Sequence, residues 1–247
     1  MSFDLTPAID SDMLSNKGED LYKFVHGSLN GSSYDIATVV HFLYKDVYKV
    51  ARLKSKIWYC FDGLKWRQTE LGPYYKLSTT VVRIYEDQRT EEIEKLKVYD
   101  EQLAATRSTE EDANDNSERE ISFFKNAIAN TDKIVQRLDK IIDKLKNVNS
   151  KESICKECLY LFYEPDFLHH LDNNLNLICF TNGVLDLEQN LLRDGVPDDL
   201  VSLSIKKDFV MPKTKAEQTE LANIIDEFRK FASKITMKRQ NKLVFLV

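Results

Sequence analysis

Glycine and proline are scarce, at 7 and 5 among 247 residues, where typical usage is about 7% and 5%. Turn-rich sandwiches and propellers need far more of both, so the scarcity favours helices. The glycines stand at 18, 27, 31, 63, 72, 183 and 195. Nowhere do they reach the close spacing, followed by Lys and Ser or Thr, that wraps a nucleotide phosphate. A GxGxxG dinucleotide fingerprint is missing as well, and so are HExxH and a serine-nucleophile motif. No catalytic residue can be named. Positive charge is also in deficit, with 35 Lys and Arg against 40 Asp and Glu and a net charge of −5, which excludes a nucleic-acid coat protein. No run approaches the roughly 20 apolar residues that cross a bilayer, and Met1 to Asn16 (MSFDLTPAIDSDMLSN) lacks the apolar stretch of a signal peptide. An intracellular protein with no membrane partner is expected, its four cysteines staying thiols.

The remaining composition, 43% hydrophobic, 30% charged and 11% aromatic, is that of a globular chain long enough for one large or two small domains. Behind a polar leader over 1–31, Ser32 and Ser33 precede Ile36, Val39, Val40, Leu43, Val47 and Val50, a helical stripe with a serine N-cap. Ile57 to Gln68 (IWYCFDGLKWRQ) places two aromatic runs around Asp62-Gly63, which predicts a hairpin with a two-residue turn. From Tyr75 to Thr106 helical spacing returns, with Ser78 as a cap candidate. Residues 107–120 hold the acidic STEEDANDNSERE, expected as a loop because almost nothing apolar offsets its ordering. Thr131 joins Ile121, Phe124, Ile128, Val135, Leu138, Ile142 and Leu145 in a second long helix. The pair predicts an antiparallel helical hairpin packed as a bundle face.

Shorter elements follow. Ser153 to Tyr163 reads as a helix stopped by Pro165, and Asp166 to Leu171 as another. Leu175 to Leu187 (LNLICFTNGVLDL) reads as a second small hairpin turning at Asn182-Gly183. Val201 to Ile205 alternates like a strand, and Ala216 to Ile235 completes the helices. The fold class is therefore α+β and predominantly α-helical, a bundle with a long helical hairpin and two small β-hairpins. Residues 32–210 form the main domain. Residues 211–247 form a basic helical linker ending in the strand-like Leu243 to Val247 (LVFLV), which reads as a strand cut short.

Metal chemistry has two candidates, and neither is favoured. Cys155 and Cys158 make a CxxC followed by His169 and His170, but the cysteines lie inside a helical pattern where i and i+3 share a buried face. Asp10-Ser11-Asp12 is the only DxD, in a leader with no strand to fix it. Glu164, Asp166 and Asp172 read as helix punctuation, and Cys60 and Cys179 as strand core. No metal ligand is assigned.

Local charge is more informative. Lys45 to Arg83 carries nine basic residues against Asp46, Asp62 and Glu70, around the aromatics Trp58, Tyr59, Phe61 and Trp66. Cations interleaved with aromatics can follow phosphates while stacking bases, which makes Lys54, Lys56, Lys65, Trp66 and Arg67 candidate DNA contacts. The competing reading packs the aromatics as core. Arg229 to Lys242 holds six basic residues and no acid, adding Lys238 and Arg239. Glu86 to Glu120, with thirteen acids and five bases, should repel DNA.

The order of segments resembles one family. A tryptophan hairpin (Trp58-Tyr59 to Trp66), a helix opening with Leu77-Ser78, a long charged helical region, Phe167 to Leu187 (FLHHLDNNLNLICFTNGVLDL) and Pro197-Asp198-Asp199 are similar to the helical region preceding the ATPase in superfamily 3 helicase-primases of large DNA viruses. This is the poxvirus-type family shared with satellite-phage primases. The most specific piece is Leu177 to Leu187, where Phe180, Asn182, Gly183 and Asp186, together with Trp58, are fold-forming positions. The resemblance implies a module that feeds a hexameric motor using ATP and Mg2+, inactive alone and without a cofactor of its own. It further implies DNA, an ATPase domain or other replisome subunits as partners, and a host cytoplasm or viral replication compartment as location. A helical protein-protein adaptor without nucleic-acid contact is the alternative.

Overall fold

In the computed structural model, residues 18–108 and 115–211 are described, together with 214–216, 218–220, 222–224, 226–227 and 230. They fall into two compact units. The first contains residues up to Cys179 and then Gly183 to Ser204; the second contains Phe180 to Asn182 and the residues from Ile205.

The first unit opens with α1 (Gly18–Gly27), a helix inside the stretch read as polar leader. It belongs to the core because Val25 is buried. Helix α2 (Ser33–Tyr44) starts as expected, the Ser32 hydroxyl accepting the Asp35 amide, a bond whose removal costs about 1 kcal/mol. It stops earlier than expected. Tyr48–Arg52 is strand β1, so Val47 and Val50 leave the helical stripe. The reason is non-local: β2 (Ile57–Phe61) needs a partner, and β1 supplies one antiparallel, with Tyr48 opposite Cys60 and Val50 opposite Trp58. Strand β3 (Trp66–Thr69) completes a three-stranded sheet in the order β1-β2-β3. The outer edge of β1 is covered by chain following a later helix: the Val50 amide donates to Phe162 and the Glu164 amide to Val50.

The hairpin turn at Asp62-Gly63 is longer than the two residues expected, because Phe61 pairs with Trp66. One Asp62 carboxylate oxygen accepts the amides of Leu64 and Lys65 at 3.0 and 2.8 Å, closing a four-residue loop. Gly63, at φ +93°, takes the left-handed conformation that the loop requires.

After Pro73 the chain runs through α3 (Tyr74–Lys76), a π-helical turn at Leu77–Val81 and α4 (Val82–Ser108). Ser78 lies inside the π turn and does not cap the helix; its hydroxyl accepts from Lys151 at 3.5 Å. Helix α5 (Asp115–Lys146) returns antiparallel. The direction follows from its contacts, since Lys146 pairs with Glu86 at 2.7 Å, Arg89 with Asp139, and Tyr99 with Phe124 at a ring separation of 6.5 Å. Of the acidic loop expected over 107–120, residues 115–120 are helical and open α5. Residues 109–114 lie outside the described residues.

Helix α6 (Val148–Leu161), N-capped by Asn147 through the Ser150 amide, and α7 (Phe167–His170) finish the helical part. The main core joins α1, α2 and β1 to Trp58, the base of the α4/α5 hairpin and α6. A smaller cluster of Ala51, Phe61, Trp66 and Phe167 packs beside the first sheet. The second sheet, β4 (Leu177–Phe180), β5 (Gly183–Asp186) and β6 (Leu191–Arg193), adds a strand to the expected hairpin.

Val201 to Ile205, expected as a strand, forms no ladder and shares with β3 the bond from the Trp66 amide to the Val201 carbonyl. The Ser202 and Leu203 amides instead donate to the Asp172 carboxylate at 2.6 and 3.0 Å, which occupies the donors that a ladder would use.

Two loops of the first unit meet so closely that Gly195 admits no side chain: an added Cβ would lie 2.1 Å from the Leu64 carbonyl oxygen. Gly195→Ala is expected to lower stability by about 1–3 kcal/mol, the usual cost of overpacking, measured as a shift in urea midpoint. An unchanged midpoint would show that the two loops separate freely.

In the second unit, the Asn182 side chain donates to the Phe209 carbonyl and accepts its amide, at 3.0 and 2.8 Å. The Phe180 and Phe209 rings lie 5.1 Å apart. From 215 to 230 the described residues are helical.

Candidate nucleic-acid interface

The five candidates in the first sheet do not form one patch. Lys54 and Lys56 sit at the β1–β2 turn, whereas Arg67 and Lys65 sit toward the opposite end of β2, roughly 13 and 20 Å from Lys56 at about 3.3 Å per residue. Lys54 and Lys56 are exposed and have no ion-pair partner among the described residues. The other pair is engaged within the fold. Lys65 Nζ donates to the Ser204 hydroxyl at 2.7 Å, and Arg67 Nε pairs with the same Asp62 carboxylate that closes the hairpin loop. A phosphate arriving there must compete with both contacts.

Trp66 is a correction to the stacking candidate. It is 1% exposed, lies 5.1 Å from the Phe167 ring, and donates its indole N–H to the Pro197 carbonyl at 2.8 Å. No ring face remains for a base. Trp58, at 4% exposure, is packed against Phe162 with ring centroids 5.6 Å apart and against Gly72, where an added Cβ would lie 2.6 Å from the indole. Lys238 and Arg239, like Leu243 to Val247 and Asp10 to Asp12, lie outside the described residues.

The remaining motif residues have structural partners. Gly183, at φ +152°, leaves 2.9 Å between an added Cβ and the Arg193 carbonyl. The turn preceding it is Thr181-Asn182, so Gly183 begins β5 and is not the second turn residue. Asp186 accepts the amides of Glu188 and Gln189 at 3.0 and 3.1 Å, which closes the turn into β6. A pair not singled out from the sequence stands beside them. Arg193 makes a two-pronged contact with Asp199 at 2.8 and 2.7 Å, and the Val196 amide donates to the same carboxylate at 2.9 Å. Burial acts to raise the Asp199 carboxyl, but the Arg193 hydrogen bonds, the Val196 amide and the Arg193 charge together hold it below the ordinary carboxylate range.

Cys155 and Cys158 lie one turn apart on α6, Cys158 in the main core and Cys155 packed against it. Burial pushes the Cys155 thiol up to about 12 and raises that of Cys158 as well, which makes both poor nucleophiles. His169 and His170 are exposed on α7. Among the described residues no group of three or more His, Cys, Asp or Glu is placed to hold a metal ion. Among them, too, no helix is long and apolar enough to cross a membrane.

Residues 40–237 match the model of the family described as "D5 N terminal like". The chain is similar to the "Putative helicase L207/L206" of Acanthamoeba polyphaga mimivirus, 31% identical over 175 residues that make up 71% of this chain and 16% of that protein. It is similar to the "Putative helicase 022R" of Frog virus 3, 29% identical over 178 residues, 64% of this chain and 17% of that protein. A third similarity, 36% identity over 92 residues covering 36% of this chain, is to the "Putative helicase 121R" of Invertebrate iridescent virus 3, of which it spans 10%. The chain thus spans about one sixth of the length of the first two.

Proposed function

The chain belongs to the D5 N terminal like family, and from that membership we propose that it is the non-catalytic N-terminal module of a helicase-primase of large DNA viruses. The observation that carries the reading is the family match over 40–237 together with the helicase names borne by the similar proteins. In it the module engages DNA or helps to assemble a ring of six copies, around which a separate ATPase domain uses ATP and Mg2+ inside the host cell. The ATP is assigned to that separate domain because Gly63 serves a hairpin turn, Gly72 faces Trp58, and Gly183 and Gly195 face backbone carbonyls, so these four glycines form no phosphate loop. The module's contribution is positional.

DNA contact through phosphates has a measurable signature, because affinity falls with salt in proportion to the number of phosphates neutralised. Fluorescence anisotropy of a labelled oligo-dT with this chain, over a salt series, is expected to show a steep fall. Lys54→Glu with Lys56→Glu should flatten the slope by about 1.4, at roughly 0.7 per contact on a single strand. An absence of binding at low salt would discard the DNA reading in favour of the adaptor. One feature favours that second reading: Leu175, Leu187 and Leu191 are exposed at one end of the second sheet, Leu175 at 87%, where a protein partner would find apolar surface.

A further inference from the structure

Helix α5 carries a line of cations, of which Lys144 has a hydrogen-bond partner within the fold. Lys133, Arg137, Lys140 and Lys144 recur four, three and four residues apart, so they lie in one line along the helix. All four side chains are exposed. Asp132, Asp139 and Asp143 form a separate line on the flank, where Asp139 holds Arg89 of α4 and Asp132 accepts from Gln136. The apolar face, with Val135, Leu138, Ile142 and Leu145, is buried on the far side.

A face that merely solvates a helix intermixes signs, so that residues four apart attract. Here Lys133 and Arg137, and again Lys140 and Lys144, are like charges four apart, an arrangement that destabilises an isolated helix. Repulsion of this kind is relieved when an anion with repeated charges lies along the line. At about 1.5 Å per residue the line is roughly 16 Å long. Several phosphates of a nucleic-acid strand fit within that length.

The same line borders a cleft of about 540 Å3 between α5 and the loop preceding α2, whose lining includes Leu29, Arg137, Lys140, Ile141, Asp143 and Lys144. Lys144 is held in place there by a 2.6 Å hydrogen bond to the Gly31 carbonyl. Arg137 and Lys140 have no ion-pair partner among the described residues. Leu29 and Ile141 lie buried at its floor. Asp143 is the one carboxylate among the lining residues.

We propose that the Lys133–Arg137–Lys140–Lys144 line of α5 and the cleft beside it bind the phosphodiester backbone of DNA. The inference rests on the reading of the chain as a DNA-engaging module and adds a surface distinct from Lys54 and Lys56. Its test uses the whole chain, labelled oligo-dT and a labelled duplex of equal length, each over a salt series, with circular dichroism to establish that variants fold. Arg137→Glu with Lys140→Glu should weaken binding at least tenfold and flatten the salt slope. Asp143→Asn should tighten it, since it removes the repelling charge without touching a buried group. The duplex and single-strand arms show which form lies along the line. If the double reversal binds as the native chain does, while Lys54→Glu with Lys56→Glu weakens binding, the inference falls and the functional reading stands. If the native chain binds neither oligonucleotide, both fall.

Discussion

Trp66→Ala is expected to lower stability by about 3–5 kcal/mol, the range for removing a buried large aromatic side chain. Trp66 joins three segments distant in sequence. Its ring lies between Phe61 and Phe167, at 5.7 and 5.1 Å. Its indole N–H reaches Pro197, and its backbone amide donates to the Val201 carbonyl at 2.8 Å. Truncation would leave a cavity beside the first sheet and strand the Pro197 carbonyl. Trp66→Phe should cost less, about 1–3 kcal/mol for the unsatisfied carbonyl. Urea unfolding measures both losses. The variants also bear on DNA. With both tryptophans buried, oligo-dT should leave indole emission unchanged and Trp66→Phe should retain native affinity. A folded Trp66→Phe chain that loses DNA would reinstate base stacking at this position.

That outcome turns on a distinction the sequence blurs. Aromatics set among lysines satisfy two physical demands equally well, stacking a base and filling a core, and only tertiary contacts decide between them. Phe167 and Pro197, which close over Trp66, lie about a hundred residues or more beyond it. The same limit explains the end of α2. Val50 continues its apolar spacing and also stands two residues from Tyr48, as on one face of a strand, and the decision in favour of β1 comes from β2, whose edge needs hydrogen-bond partners. Local signals were legible where they were sufficient: the Ser32 cap, the Asp62-Gly63 turn and the long apolar repeat of α5. The charge line on α5 escaped for a different reason. Along the chain Asp132, Asp139 and Asp143 stand among the cations and offset them in net charge, although they lie on another side of the helix.

Arg193 and Asp199 provide the second large effect. Arg193→Leu is expected to cost about 3–5 kcal/mol near neutral pH, because removing one partner of a buried ion pair leaves the other uncompensated. Asp199 is 8% exposed and would retain the Val196 amide alone. The loss should fall toward the lower end of that range, since the Arg193 side chain keeps 28% of its exposure and the pair is partly screened. Replacing both residues by leucine should recover much of the loss, as apolar substitutes for whole buried pairs often do. The effect depends on pH in a set direction. In the native chain the Asp199 carboxyl titrates below its unfolded value, so its stabilising contribution is full above about pH 4 and fades as pH falls through the lower, folded value. In Arg193→Leu burial acts with little opposition and raises the carboxyl, so the penalty present at neutral pH is relieved as acid neutralises the group. The stability gap between the native chain and the variant should therefore narrow below about pH 4. A gap that stays constant from pH 7 to pH 3 would show that Arg193 stabilises the loop through the packing of its stem and that its charge contributes nothing.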